Sequence, residues 1–275
     1  MGQELSINDL KGFAERYVEA EKQARTSGVW WRAPLLVSAT IDHRFDDLRS
    51  IAAQDHLLPK ELLPSARSVI VFFVPFTKEL VKENRKGDRP SRNWGIAYVE
   101  TNDLISRLSQ ALSDLLAGHG YRSALTPATH NFDEVKLMAR WSHKHLGHIA
   151  GLGRFGTNCL LITQAGCAGR LGSLVTEATL GDHPLIEKDQ TCLLKAGKPC
   201  GKCIQACPVS ALEESQFMRR ACWDRLVENR KVLGFFRDLP DSTHVCGKCA
   251  SFLPCSFKDP TAQSEKRETK EPGSG

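Results

Sequence analysis

Eight of the ten cysteines in this 275-residue chain fall between Cys192 and Cys255, and the first 158 residues contain none. Thiols this crowded must either cross-link or close around something, so they constrain the C-terminal third more tightly than any apolar pattern does. No stretch approaches the roughly 18 apolar residues of a membrane span, and the opening segment MGQELSINDLKGFAERYVEAEKQ is a polar amphipathic helix without a signal-peptide core. The expected location is therefore the cytoplasm, where a reducing milieu turns cysteines toward metal or redox chemistry instead of disulfides.

The run CGKCIQACP at Cys200 to Pro208 follows Cys192 and precedes Cys222, Cys246, Cys249 and Cys255. In bacterial ferredoxins three cysteines of such a run hold one iron-sulfur cluster, and the one before proline crosses to a second. Here the first gap is wide, giving C-x7-C-x2-C-x3-C-P. The spacing suggests two [4Fe-4S] clusters, one on Cys192, Cys200, Cys203 and Cys255, the other on Cys207, Cys222, Cys246 and Cys249, with exchange of members between the sets left open. Zinc is the alternative, since paired CxxC elements also build tetrahedral zinc sites, but a zinc ribbon leaves four of these cysteines unexplained. Cys159 and Cys167 stand apart and read as small buried hydrophobes.

The formal charge of +5 counts these thiols as neutral. Eight thiolates around two 2+ cores would bring it to about +1, so the basic balance argues for no nucleic-acid partner.

Upstream, helical and strand-like segments alternate. Leu10, Phe13, Tyr17 and Val18 recur at helical spacing, and the apolar runs from Pro34 and from Ser68 to Phe76 read as buried strands. The charged segment 78–93 reads as an exposed loop or lid. Helices are expected over Asn102–Leu116 and from about Asp133 to Gly147, then a glycine turn, AGLGRFG, at Ala150 to Gly156. Two strands, CLLIT and SLVTEAT, flank QAGCAGRLG as a hairpin. The composition changes near residue 186. The expected division is an α/β domain over 1–185 for a cofactor, substrate or docking partner, a ferredoxin-like double-cluster module over 186–257, and a disordered tail over 258–275.

Several segments carry a resemblance: HIAGLGRFG at His148 to Gly156, AGRLGSLVTE at Ala168 to Glu177, CGKCIQACPVSAL, RRAC at Arg219 to Cys222, and CGKCASFLPC. Together they resemble the epoxyqueuosine reductase family, relatives of the reductive dehalogenases, over about residues 66 to 256. The resemblance implies that all eight cysteines bind clusters. It also implies an α/β (α+β) N-terminal domain of nitroreductase-like character holding a cobalamin beside the inner cluster. Gly151, Leu152, Gly153, Arg154, Phe155 and Gly156 are then candidates for a corrinoid pocket, although a tight turn explains the same glycines. FMN is a lesser option. An iron-sulfur reductase is implied, taking single electrons from a ferredoxin or flavodoxin.

Two departures argue against a tRNA substrate. The family's catalytic acid lies in an Asp-Ser-Ala-Pro element, and an ungapped count from Gly151 finds Leu137 there; the chain also ends soon after Cys255, without the family's helical extension. Asp133 and Glu134 are the nearest acids. In place of that element stands WSHKHLGH, where His145 and His148 share a helix face and His143 points elsewhere; these histidines are candidates for proton donation or cobalt ligation, or simply for hydrogen bonding. His130 is a further candidate on a loop. An electron-delivery protein for a separate corrinoid enzyme is the alternative to catalysis, and a zinc-stabilised interaction module the third reading.

Overall fold

The computed structural model describes residues 5–25, 28–127, 132–251 and 253–262. Helix α1 (Ile7–Gln23) begins where Ser6 and Asp9 exchange side-chain and backbone hydrogen bonds, and it buries Ile7, Leu10, Ala14 and Val18. Strands β1 (Leu35–Thr40) and β2 (Ser68–Pro75) follow, separated by two single-turn helices, α2 (Leu48–Ile51) and α3 (Pro59–Leu62). With β3 (Ser123–Leu125) and β8 (Gly169–Thr176) they form one sheet in the order β1-β2-β8-β3, antiparallel at every pairing.

All eight residues of β2 are buried because both faces of the sheet are covered. Ile70, Phe72 and Val74 join a core with α1 and the long helix α5 (Arg92–Gly118); Val69, Val71 and Phe73 join another with Trp141 and with Leu146 of α6 (His143–Ile149). The result is a mixed α/β layered fold with small sheets.

Four expectations are corrected. Segment 78–93 does not open as a loop: α4 (Lys78–Asn84) buries Leu80, Val81 and Asn84 while its charged residues face outward. Helix α5 starts eleven residues before the expected Asn102 cap, at Ser91, whose hydroxyl accepts from the Trp94 amide. The expected helix from Asp133 is a hairpin of β4 (Phe132–Asp133) and β5 (Met138–Ala139), because the Asp133 carboxylate accepts from the amides of Val135 and Lys136 and turns the chain back. Finally, β7 (Leu161–Thr163) pairs with β6 (Gly153–Phe155), not with β8, which the sheet claims instead.

Beyond residue 186 come α7 (Lys202–Gln205) and α8 (Arg219–Val232). This part shares the main core: Phe236 and Val245 are buried with Trp94 and Leu104, and the Asn84 amide donates to the Cys246 carbonyl at 3.0 Å. Of the expected tail, 258–262 are described, with Asp259 buried and paired with Lys188 at 2.8 Å; 263–275 lie outside the described residues. No helix among the described residues is long and apolar enough to cross a membrane.

Candidate metal centre

Two hollows lie beside the loops that follow residue 186, one with four cysteines in its wall and one with five, the fifth being Cys159, which the sequence set apart as a small buried hydrophobe and which is in fact half-buried at the edge of the inner hollow. The outer hollow is small, about 20 Å³, with Cys192, Cys200, Cys203 and Cys255 in its wall. The inner one, about 160 Å³, is walled by Cys207, Cys222, Cys246 and Cys249, with Cys159 beside them. Asn158 contributes to both walls: its amide donates to the Cys249 carbonyl at 2.8 Å and approaches the Cys167 sulfur at 3.7 Å. The fold thus places Cys192, Cys200, Cys203 and Cys255 around one hollow and Cys207, Cys222, Cys246 and Cys249, with Cys159, around the other. In each quartet the sulfurs enclose a space, and among the described residues no group of three or more His, Cys, Asp or Glu side chains is set to hold a single metal ion.

The thiols are poised for a cationic core. Burial, then the neighbouring thiols, push Cys203 and Cys222 up to about 11, and the same causes push Cys249 further up. Cys255 is pushed up by its hydrogen bond with Cys167 and then by burial. Crowded thiols of this kind ionise together only when a positive centre binds them. Hydrogen bonds to sulfur are already present: the Ala211 amide donates to Cys207 at 3.2 Å, and the Thr157 hydroxyl lies 3.7 Å from Cys192. At Cys192 burial acts upward, but hydrogen bonds from the backbone amides of Lys195, Thr157 and Leu194 and from the Thr157 hydroxyl outweigh it and lower the thiol.

Three cations that the cysteine pattern alone does not reveal wall the inner hollow: Lys144, Arg225 and Lys248. Lys248 is 5% exposed and donates to the carbonyls of Asn84 and Lys86; Arg225, 7% exposed, pairs with Asp88 at 3.1 Å and Glu228 at 3.2 Å. Lys144 donates to the Cys159 carbonyl at 3.0 Å, and burial holds its ammonium below the usual lysine range. The only sequence hint was that Lys248 stands inside the second CGKC element.

Lys144 and Leu160 also wall a neighbouring cavity of about 320 Å³, together with Phe73, Trp141, His143 and Arg170. His143 is fully engaged. Its Nε2 donates to the Pro127 carbonyl at 3.1 Å and its Nδ1 accepts from the Ser173 hydroxyl at 2.7 Å, which itself accepts from the Trp141 indole at 2.9 Å. That chain requires the neutral ring, and burial lowers its pKa to about 4. His145, also lowered to about 4 by burial and then by Lys144, bonds to the Ser142 hydroxyl at 2.7 Å. His145 and His148 both lie against Phe155, with ring centroids 4.9 and 5.5 Å away, and the buried Nδ1 of His148 has no hydrogen-bond partner.

The glycine turn is packed against protein. A Cβ on Gly151 would meet Pro184 at 2.4 Å, one on Gly153 the Ile162 carbonyl at 2.6 Å, and one on Gly156 the Asn158 side chain at 2.6 Å. Leu152 is fully buried, and none of Gly151, Gly153 and Gly156 lies in the wall of the three cavities described. Asp133 is exposed in its hairpin turn, where bonds from the Lys136 and Val135 amides hold its carboxyl below the usual range. His130 lies outside the described residues.

No protein-family model and no curated protein sequence matches the chain. Solved structures do. A selenomethionine-labelled epoxyqueuosine reductase aligns over 91% of this chain and 66% of its own length, at 18% identity and a TM-score of 0.54. The enzyme from Streptococcus thermophilus aligns over 93% and 70%, at 18% identity and a TM-score of 0.50. A catabolic reductive dehalogenase aligns over 85% of this chain but 31% of its own, at 12% identity and a TM-score of 0.54. The chain thus spans slightly less than two thirds of the first of these proteins. The suspected resemblance is matched at the level of architecture: this chain has the fold shared by epoxyqueuosine reductases and reductive dehalogenases.

Proposed function

We propose that the chain is a one-electron reductase holding two [4Fe-4S] clusters, an outer one on Cys192, Cys200, Cys203 and Cys255 and an inner one on Cys207, Cys222, Cys246 and Cys249. The observation that carries this is the pair of thiol-ringed hollows sharing Asn158 as a wall. When bound, such clusters supply single electrons at low potential. The chain's own residues set the conditions: Thr157 and the Ala211 amide hydrogen-bond sulfur, and Lys144, Arg225 and Lys248 offset the negative charge of four thiolates at the inner site. The acceptor site is the 320 Å³ cavity, since Lys144 and Leu160 are common to its wall and that of the inner hollow.

A corrinoid does not fit inside this space. The cavity lies at the lower end of the range for small-molecule sites, about 300–1,000 Å³, and takes a ring or two, not a macrocycle with its amide arms. No step is derived through cobalt. This favours a small organic acceptor and also supports a second reading, delivery of electrons to a separate corrinoid protein. A tRNA substrate is not part of the proposal, because Asp133 is tied into a surface turn and an ungapped count from Gly151 finds Leu137 where the family's acid is expected.

Oxygen-free purification with iron, zinc and sulfide analysis tests the reading. About eight irons per chain and a paramagnetic signal on reduction are expected; a colourless zinc protein would overturn it. Titration with cobalamin separates the two acceptor readings, with no stable binding expected for the isolated chain.

A further inference from the structure

We propose that the rim of the outer hollow is a docking surface for an acidic one-electron carrier protein, an inference that rests on the cluster reading above. The two quartets differ in access. Cys200 is the one exposed cysteine among the eight and gives the outer quartet its contact with solvent, although Cys192 and Cys203 beside it are buried; each inner cysteine is partly buried. Electron transfer weakens steeply with distance, so an outside protein reaches the outer centre first.

The rim is built for a negative partner. The loop from Cys192 to Gln205 contains Lys195, Lys198 and Lys202 and no carboxylate. Lys195 and Lys202 are exposed, and among the described residues neither makes an ion pair. The acids nearest the loop are partly spoken for: Asp189 acts on Arg154, and Asp259 is paired with Lys188 at 2.8 Å. Glu187 upstream and Glu213 and Glu214 downstream are exposed and lie outside the loop. One glycine thins the rim further. Gly197 is exposed with positive φ, and the direction of a Cβ on it opens to empty space, so no side chain there would hold a partner's backbone away from the loop.

A cationic rim around a redox centre steers an acidic carrier into productive encounter, an effect that salt screens. The step balances without bond making or proton movement: the carrier loses one electron and the outer centre gains one.

The test uses the anaerobically purified full chain and an acidic plant-type ferredoxin, comparing the native protein with Lys195→Glu/Lys202→Glu. Iron content and the paramagnetic spectrum of both proteins are measured first. Unchanged values keep the comparison valid, while absence of iron from the native protein sinks the cluster reading itself. The second-order rate of reduction by the ferredoxin should fall by about tenfold or more in the variant at low salt, and the difference should vanish at high salt. Binding of oxidised ferredoxin should weaken in parallel, giving a readout independent of turnover. Reduction by photoreduced 5-deazariboflavin, a small reductant, should be equal in the two proteins. Equal ferredoxin rates and affinities at low salt would overturn the proposal, as would equal losses with the small reductant.

Discussion

The chain spells Cys-Gly-Lys-Cys twice, at Cys200–Cys203 and Cys246–Cys249, and the two copies meet opposite fates. In the first, Lys202 is exposed and a Cβ on Gly201 would face open space. In the second, Lys248 is buried with its ammonium on two carbonyls, and a Cβ on Gly247 would strike the Trp94 ring at 2.3 Å. The same four residues serve a surface rim in one place and a core in the other. The difference comes from what the fold brings against them: α4 and α5 cover the lysine and glycine of the second copy, through Asn84 and Trp94, whereas in the first Cys203 packs with Leu212 and Leu253 but Cys200 and Lys202 stay exposed. Burial with cations in place makes the inner hollow the site whose charge is set by the protein. The outer one keeps Cys200 and Lys202 in contact with solvent.

The largest expected effect separates the quartets by composition. Cys222→Ala should lose about four of about eight irons and keep the outer centre's signal, and Cys200→Ala should do the converse. Iron analysis with paramagnetic resonance reads both, and a variant losing all its iron, or none, breaks the assignment of ligands to hollows.

Next comes the glycine pair. Gly247→Ala meets both a left-handed φ of +71° and the Trp94 ring, and should cost roughly 3 kcal/mol or more. Gly201→Ala, strained at φ +124° but unobstructed, should cost about 1–2 kcal/mol. Thermal unfolding of the iron-loaded variants measures the gap, and equal losses would mean that the two loops are not differently packed.

The smallest contrast lies in the lysines. Lys248→Met leaves the Asn84 and Lys86 carbonyls without their donor and should lose about 2–3 kcal/mol, while Lys202→Met should stay within about 0.5 kcal/mol. Denaturant midpoints would reveal whether the buried lysine supports the fold or merely tolerates its position.

What the sequence disclosed follows from the range of the forces involved. That the cysteines gather was legible because CGKC is written locally and twice, while the sequence left open which of them face which hollow. Strand β2 was legible because the seven consecutive apolar positions after Ser68 admit few alternatives. The hairpin at Phe132–Ala139 was not, since Asp133 caps a helix and closes a turn with the same carboxylate. Helix α4 hid behind its charges, with only Leu80 and Val81 marking the inward face. Arg225 and Lys144 as walls of the inner hollow depend on contacts across 137 positions to Asp88 and on the cavity beside α6, and no local pattern carries that information. Conversely, the glycines at 151, 153 and 156 looked like room for a ligand, but the chain itself fills that room.

The interleaved order of the two rings has a consequence for biosynthesis. The inner hollow waits for Cys249 and the outer one for Cys255, although their first members, Cys207 and Cys192, are made much earlier. Neither ring can close on a nascent chain until its last member has been made, so synthesis completes both only after Cys249 and Cys255 emerge, and a stop codon anywhere before position 246 would remove members of both rings at once.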